Sequence, residues 1–252
     1  MKKIKSYKQF IKESESFDYN DMIDYTLLED SSTDEDLKEL CEKAKKLGVK
    51  SVCVLPKFVK LASNCLAESK VLVCTVVSFP GGDNSLDEKI SETKKVIADG
   101  ADEVDMVLNY KMLQLDGETS KEYLVEEVKS LTDICHDNVN KDDEKVILKV
   151  IVESGLLTNE ETEISTHVCI EAGADFIKTS TGKVAVGAEM DKIQTMFDTI
   201  KSEGSSMNIK ASGGIRTAEQ ITSMIGTVDR FGMGFGSVDK INGIISDVES
   251  SY

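Results

Sequence analysis

Metal-binding side chains are scarce in this chain. Its 252 residues include two histidines, His136 and His167, and its six cysteines, Cys41, Cys53, Cys65, Cys74, Cys135 and Cys169, form no CxxC pair. No zinc-ligand spacing results, and no metal is expected. The cysteines read instead as reduced, mostly buried thiols of a cytoplasmic protein. Positive charge is also short, with 30 Lys plus Arg against 46 Asp plus Glu. Such a field repels phosphate backbones and anionic lipid, which argues against nucleic acid or a membrane as partner. No stretch approaches the roughly 18 apolar residues of a membrane span. The basic opening run MKKIKSYKQFIKESES leads into no apolar stretch and does not read as a secretion signal. Ile4, Tyr7, Phe10 and Ile11 recur at helical spacing and predict an amphipathic extension over 1–20, ahead of a single domain over 21–252.

What is present is a globular balance, 40% hydrophobic and 30% charged, which excludes wholesale disorder and fibrous repeats. One punctuation recurs along it. KKLGVKSVCV, IADGADEVDM and IEAGADFIKT each end a helical run at Gly48, Gly100 or Gly173 and enter a β-rich run, the signature of an αβ joint. Four capping boxes, Ser32 with Glu35, Ser85 with Glu88, Thr158 with Glu161 and Thr217 with Gln220, mark helix starts. Between the helices lie eight strand candidates, 22–27, 51–55, 71–78, 103–108, 146–153, 175–180, 207–212 and 230–235. Most are continuously apolar, as parallel strands covered by helices must be, so the pattern predicts a (β/α)8 barrel. A doubly wound sheet would carry GxGxxG after its first strand, and none is there. The dense glycine run GMGFG at 232–236 falls where the last loops of a barrel bind phosphate.

Several of these strands carry charge: Asp105 in EVDMVL, Lys149 and Glu153 in VILKVIVE, Lys178 in DFIKTS and Lys210 in MNIKAS. Burying a charge is costly, so a single one can be a structural ion pair, but several strands breaking the rule together point to a site. Lys178 and Lys210 lie at similar depth in consecutive strands about 4.8 Å apart. A free lysine, with a pKa of about 10.4, has roughly one molecule in 2,500 neutral at pH 7. Making it a good nucleophile costs about 3 to 4 kcal/mol against the ammonium form. A second ammonium about 7 Å away, at an effective dielectric near 20, supplies roughly 2.4 kcal/mol of that. The pair is suited to an amine that attacks a carbonyl and loses water to give an electron-withdrawing iminium, with Asp105 moving protons. Asp102 reads as a strand-start or turn residue.

DEVDMV, LKVIVESGLL, GADFIKTSTGK and KASGGIRT, in this order, resemble the deoxyribose-phosphate aldolase family of class I aldolases. The resemblance runs from about Met22 to about Gly236. It implies a (β/α)8 barrel that cleaves 2-deoxy-D-ribose 5-phosphate reversibly to D-glyceraldehyde 3-phosphate and acetaldehyde, with no metal or organic cofactor. It makes Lys178 the Schiff-base residue, Lys210 the lysine that perturbs it and Asp105 the proton-transfer carboxylate. Phosphate binding falls to Gly182 and Lys183, Gly213 and Gly214, and Gly234 and Phe235. Asp24, Cys53 and Lys149 match positions that the family keeps near the site, Asp24 as a contact to a substrate hydroxyl; an accessible Cys53 thiolate could form an adduct with an aldehyde, but Cys53 reads first as a buried, inert thiol.

Departures from the family pattern are Tyr25, where His commonly follows the first-strand Asp, and Gly234 with Phe235, where a Ser pair is common. The lost hydroxyls predict weaker phosphate binding, with Ser237 as a substitute donor. The terminal Tyr252 matches a tail that reaches the site in some members, or is a frayed end. Competing readings are another Schiff-base aldolase or transaldolase, a non-catalytic phosphosugar-binding barrel, and a structural protein. A homodimer is compatible with exposed helix faces, but no interface is singled out.

Overall fold

In a computed structural model that describes residues 19–114 and 118–244, the eight strand candidates become eight parallel strands closed in sequence order. They are β1 (Ile23–Leu27), β2 (Ser51–Val54), β3 (Leu72–Val77), β4 (Glu103–Val107), β5 (Ile147–Ile151), β6 (Phe176–Lys178), β7 (Asn208–Ser212) and β8 (Arg230–Gly234). Among the described residues, eight α-helices cover them: α1 (Asp34–Leu47), α2 (Val59–Leu66), α3 (Leu86–Ala98), α4 (Glu118–His136), α5 (Asn159–Glu171), α6 (Met190–Ser202), α7 (Ala218–Met224) and α8 (Phe235–Ile241). The barrel predicted from the sequence is the fold observed. β-Branched residues fill the strands because one face meets the helices and the other the barrel interior; β2 and β3 are buried at every position.

Three of the four predicted capping boxes form, at Ser85, Thr158 and Thr217. The fourth is displaced by one residue. Thr33, not Ser32, is the extended N-cap of α1 and pairs with Asp36, whose shorter carboxylate still reaches the Thr33 backbone N–H at 2.8 Å. Each cap of this kind contributes about 1 kcal/mol. Gly48, Gly100 and Gly173 all take positive φ at the helix-to-strand joints. Several strand ends are corrected, and β5, expected to 153, stops at Ile151, so Glu153 lies beyond it. β6 stops at Lys178, three residues long, and β8 stops at Gly234, so Phe235 opens α8. Apart from Tyr19 and Asn20, the expected extension over 1–20 lies outside the described residues, as does Tyr252. No helix among the described residues is long and apolar enough to cross a membrane.

Candidate active site

The barrel axis is charged. Asp24 from β1, Glu103 and Asp105 from β4, Lys149 from β5, Lys178 from β6, Lys210 from β7 and Arg230 from β8 are all buried. Period-two alternation turns these positions inward while their neighbours pack under the helices. Tyr25, next to Asp24, shows the other orientation: its hydroxyl donates to Asp239 of α8, and Lys43 of α1 joins the same carboxylate at 3.0 Å. At the expected His position the chain thus has an outward tyrosine that ties β1 to its helices.

Lys178 and Lys210 are directly in register across β6 and β7. Each ammonium donates to the same Asp105 oxygen, Oδ2, at 2.6 Å. The two nitrogens are therefore at most about 5.2 Å apart, twice that distance, where like charges repel by about 3 kcal/mol at an effective dielectric near 20. Asp105 Oδ1 accepts from Lys149 at 3.0 Å and from the Cys74 thiol at 3.2 Å. Below lie the remaining groups. Lys149 reaches Glu103 at 2.7 Å and Asp24 at 3.9 Å. Arg230 holds Asp24 at 2.6 Å and Glu103 at 3.1 and 3.2 Å, and Ser51 donates to Asp24 at 2.7 Å. Lys210 also pairs with Asp24. Beneath them the Phe176 ring faces the Arg230 guanidinium at 5.5 Å and the Lys149 ammonium at 6.0 Å.

Burial disfavours the charged forms of Asp24, Glu103, Asp105, Lys149, Lys210 and Arg230, but the surrounding opposite charges prevail. Asp105 is held well below the usual carboxylate range: burial raises it, and Lys149, Lys178 and Lys210 more than reverse this. Asp24 is lowered in the same way by Arg230, Lys210 and Lys149, and Glu103 by Lys149 and Arg230. Burial opposes the charge of Lys210, yet Asp105 and Asp24 raise it above the ordinary lysine range. Lys149 is raised likewise, against burial, by Asp105, Cys74, Glu103 and Asp24. The network holds four cations against three carboxylates, one positive charge in excess. Lys178 touches one carboxylate where Lys210 touches two and Lys149 three, so it is the amine the network grips least.

Asp105, Lys178 and Lys210 are thus brought together as the sequence predicts. Asp24 and Lys149, expected near the substrate, lie in the same network, ion-paired with Lys210, Arg230 and Glu103 and as fully enclosed as Asp105 and Lys210. Glu103, Arg230, Cys74 and Ser51 complete the network and escaped the sequence reading. Glu103 and Arg230 open their strands and so pass for boundary residues, although a charge at the head of an apolar run was the signal. Asp102 accepts from Val73 N–H and Lys141 N–H and pins a strand and a loop. Glu153 leaves β5 in a left-handed conformation at φ 51° and accepts from Thr181 N–H at 3.2 Å, clamping the turn after Lys178. Burial raises its carboxyl, and the Thr181 bonds only partly offset this.

The glycine turns after β6 and β7 press on one another. A Cβ on Gly187 would stand 2.1 Å from the Gly213 carbonyl oxygen, and Ala188 N–H donates to that oxygen at 3.0 Å. Gly182, Gly213 and Gly214 all have positive φ, which exposes backbone in a way a side chain would not allow. Lys183 sits at their edge, its ammonium on the Leu28 carbonyl at 3.0 Å and Glu29 at 3.3 Å. GMGFG is not a loop. Gly232 lies in β8, where a Cβ would meet Lys210 Cε at 3.2 Å and Ser212 Cβ at 2.8 Å, so glycine makes room for the Lys210 stem. Phe235 is 42% exposed and lines a groove with Tyr25, Leu27, Glu29 and Leu40.

Residues 20–238 match a family model described as DeoC/LacD family aldolase. A deoxyribose-phosphate aldolase of Mycoplasmoides pirum is 42% identical over 207 residues, 82% of this chain and 89% of the relative. Deoxyribose-phosphate aldolase 1 of Bacillus licheniformis is 39% identical over 227 residues, 90% of this chain and 96% of the relative. Among solved structures, a tetrameric deoxyribose phosphate aldolase from Aeropyrum pernix superposes with a TM-score of 0.78 at 26% identity, covering 95% of this chain and 98% of its own.

Proposed function

The chain belongs to the DeoC/LacD aldolase family, and from that premise we infer that it cleaves 2-deoxy-D-ribose 5-phosphate reversibly to D-glyceraldehyde 3-phosphate and acetaldehyde through an imine on Lys178. The observation that carries the assignment of roles is the single Asp105 oxygen shared by the Lys178 and Lys210 ammonium groups.

Lys178 passes a proton to Asp105 and attacks the C1 aldehyde of the open-chain sugar. The carbinolamine takes a proton back and loses water, leaving an iminium. A base removes the C3 hydroxyl proton, the C2–C3 electron pair moves into the enamine, and C3 leaves as the aldehyde of glyceraldehyde 3-phosphate. Protonation at C2 and hydrolysis release acetaldehyde and restore the amine. Lys210 remains the fixed cation of the pair, because Asp105 and Asp24 stabilise its charged form against burial. It opposes the ammonium form of Lys178 and stabilises Asp105 as a carboxylate. The turns of Gly182, Gly213 and Gly214 present backbone to the phosphate, with Lys183 at their edge supplying charge. No side-chain hydroxyl stands at 234–235, and phosphate affinity rests on these turns and Ser237.

The protein acts on a phosphorylated deoxysugar and small aldehydes in the cytoplasm, independently of nucleic acid, and self-associates through its helical exterior. The direct test is release of acetaldehyde and glyceraldehyde 3-phosphate from deoxyribose 5-phosphate, run beside unphosphorylated deoxyribose. Stoichiometric release from the phosphorylated sugar is expected. A folded protein that releases neither product from either sugar would overturn the assignment.

A further inference from the structure

The mechanism above leaves two buried sulfurs unused. Cys53 and Cys74 are register partners on β2 and β3. Both sulfurs and an Asp105 carboxylate oxygen lie within 4.8 Å of one another. Neighbouring strands are about 4.8 Å apart, inside the roughly 4.4 to 6.8 Å between Cα atoms that a disulfide spans. Bond formation then requires side-chain rotation rather than movement of the sheet.

The two thiols differ as an oxidisable pair should. The Cys53 thiol is lowered, first by its hydrogen bond with Cys74; burial raises it, and the charges of Lys210 and Lys178 lower it again. The Cys74 thiol is pushed well up, first by burial, and donates a hydrogen bond to Asp105 Oδ1 at 3.2 Å. The Cys53 sulfur is thus the readier of the two to ionise.

We propose that Cys53 and Cys74 form a reversible disulfide inside the catalytic chamber when the protein meets a peroxide, and that this bond switches the aldolase off. The Cys53 thiolate attacks one oxygen of hydrogen peroxide, breaking the O–O bond to give a sulfenic acid and hydroxide. The hydroxide released in that step takes the Cys74 proton, and the Cys74 sulfur displaces a second hydroxide from the Cys53 sulfur. The two hydroxides take up the two thiol protons, so two thiols and one peroxide yield one disulfide and two waters. Entry of the oxidant rests on the aldolase reading, since a chamber that admits acetaldehyde to Lys178 admits the smaller peroxide. Once bonded to Cys53, the Cys74 sulfur leaves Asp105 Oδ1 and Lys149, which it now meets at 3.2 and 3.4 Å. The carboxylate shared by the two catalytic lysines loses a partner and shifts.

A second close pair is Cys41 on α1 with Cys65 on α2, whose thiols act on one another, so the test uses the Cys65→Ser protein. The full chain is treated with hydrogen peroxide, with and without later dithiothreitol. It is then followed by intact mass, by non-reducing tryptic mapping and by cleavage of deoxyribose 5-phosphate. Lys57, Lys60 and Lys70 separate the two cysteines on digestion. The expected result is loss of two hydrogens, a linked Cys53–Cys74 peptide pair, turnover that falls in proportion to the linked fraction, and recovery of both with dithiothreitol. Adding Cys74→Ala should replace the link by oxygen added at Cys53. Absence of the linked pair, or a linked protein that keeps full turnover, overturns the proposal. Acetaldehyde trapping on the untreated protein separates the two readings. Its failure counts against the aldolase, whereas the disulfide is judged on the linked peptide alone.

Discussion

Lys89 and Glu127, paired at 2.8 Å between α3 and α4, and the seven charged groups on the barrel axis are comparably buried, yet burial acts on them in opposite directions. Between the helices it prevails. Lys89 is lowered by burial although Glu127 pulls the other way, and Glu127 is raised by burial although Lys89 opposes. On the axis it is overruled, with Asp24, Glu103 and Asp105 lowered and Lys149 and Lys210 raised despite complete burial.

The number of opposite charges decides this. Desolvating an ion costs several kcal/mol, and one counter-charge near 3 Å at an effective dielectric of 20 returns about 5 to 6 kcal/mol. A lone pair roughly breaks even. A second and third partner leave a surplus, so the axis stays charged. The helix pair is a structural tie whose remaining bonds, Lys89 to the Val107 carbonyl and Asn109 N–H to Glu127, hold the chain after β4.

The strongest way to break this contrast is Lys178→Ala, which should reduce cleavage of deoxyribose 5-phosphate to background while the fold persists, as read by turnover beside circular dichroism. Asp105→Asn should lower kcat by about 10² to 10⁴ with KM little changed, the range for a lost acid–base group. A pure loss of affinity would reassign Asp105. Lys89→Met should cost about 3 to 5 kcal/mol of stability by stranding Glu127, and adding Glu127→Leu should restore most of it. Turnover should be unchanged in both, checked by urea denaturation and steady-state rates. Lys210→Leu removes about 3 kcal/mol of repulsion from the nucleophile, so the rate should fall roughly a hundredfold at pH 7. Activity should recover as pH rises, because hydroxide then does the deprotonation that Lys210 assisted. Normal activity at pH 7 would contradict the electrostatic role.

Acid provides the mildest separation. Asp24, Glu103 and Asp105 have folded values below their unfolded ones, so the stability they contribute is present above the unfolded carboxylate range and is lost as pH falls through the folded values. Glu127 has the opposite sign. Its contribution is present at low pH and lost as pH rises through its raised value. Removing the helix pair should therefore leave the acid-side decline of stability in place.

Much of the fold was legible because local signals repeat. Glycines at three joints, three caps in register and apolar runs between them fix eight αβ units without long-range information. The miss at α1 is a one-residue slip between Ser32 and Thr33, either of which can cap. GMGFG misled because its first glycine serves packing against the Lys210 stem, a contact between β7 and β8 that spacing cannot reveal. In the site, Lys178, Lys210 and Asp105 stood out as charges in apolar strands. That Lys149 and Asp24 would be absorbed by Glu103 and Arg230 depends on which side chains meet across the closed barrel. That geometry is set by register and not by any one segment.

Lys178, held by one carboxylate where Lys210 has two and Lys149 three, is the axial amine proposed to form the imine. Incubation with acetaldehyde and borohydride, followed by intact mass and peptide mapping, separates it from the other two. A single ethyl adduct on Lys178, with Lys149 and Lys210 unmodified, is the predicted result; an adduct on either of those lysines, or none on the folded protein, would contradict it.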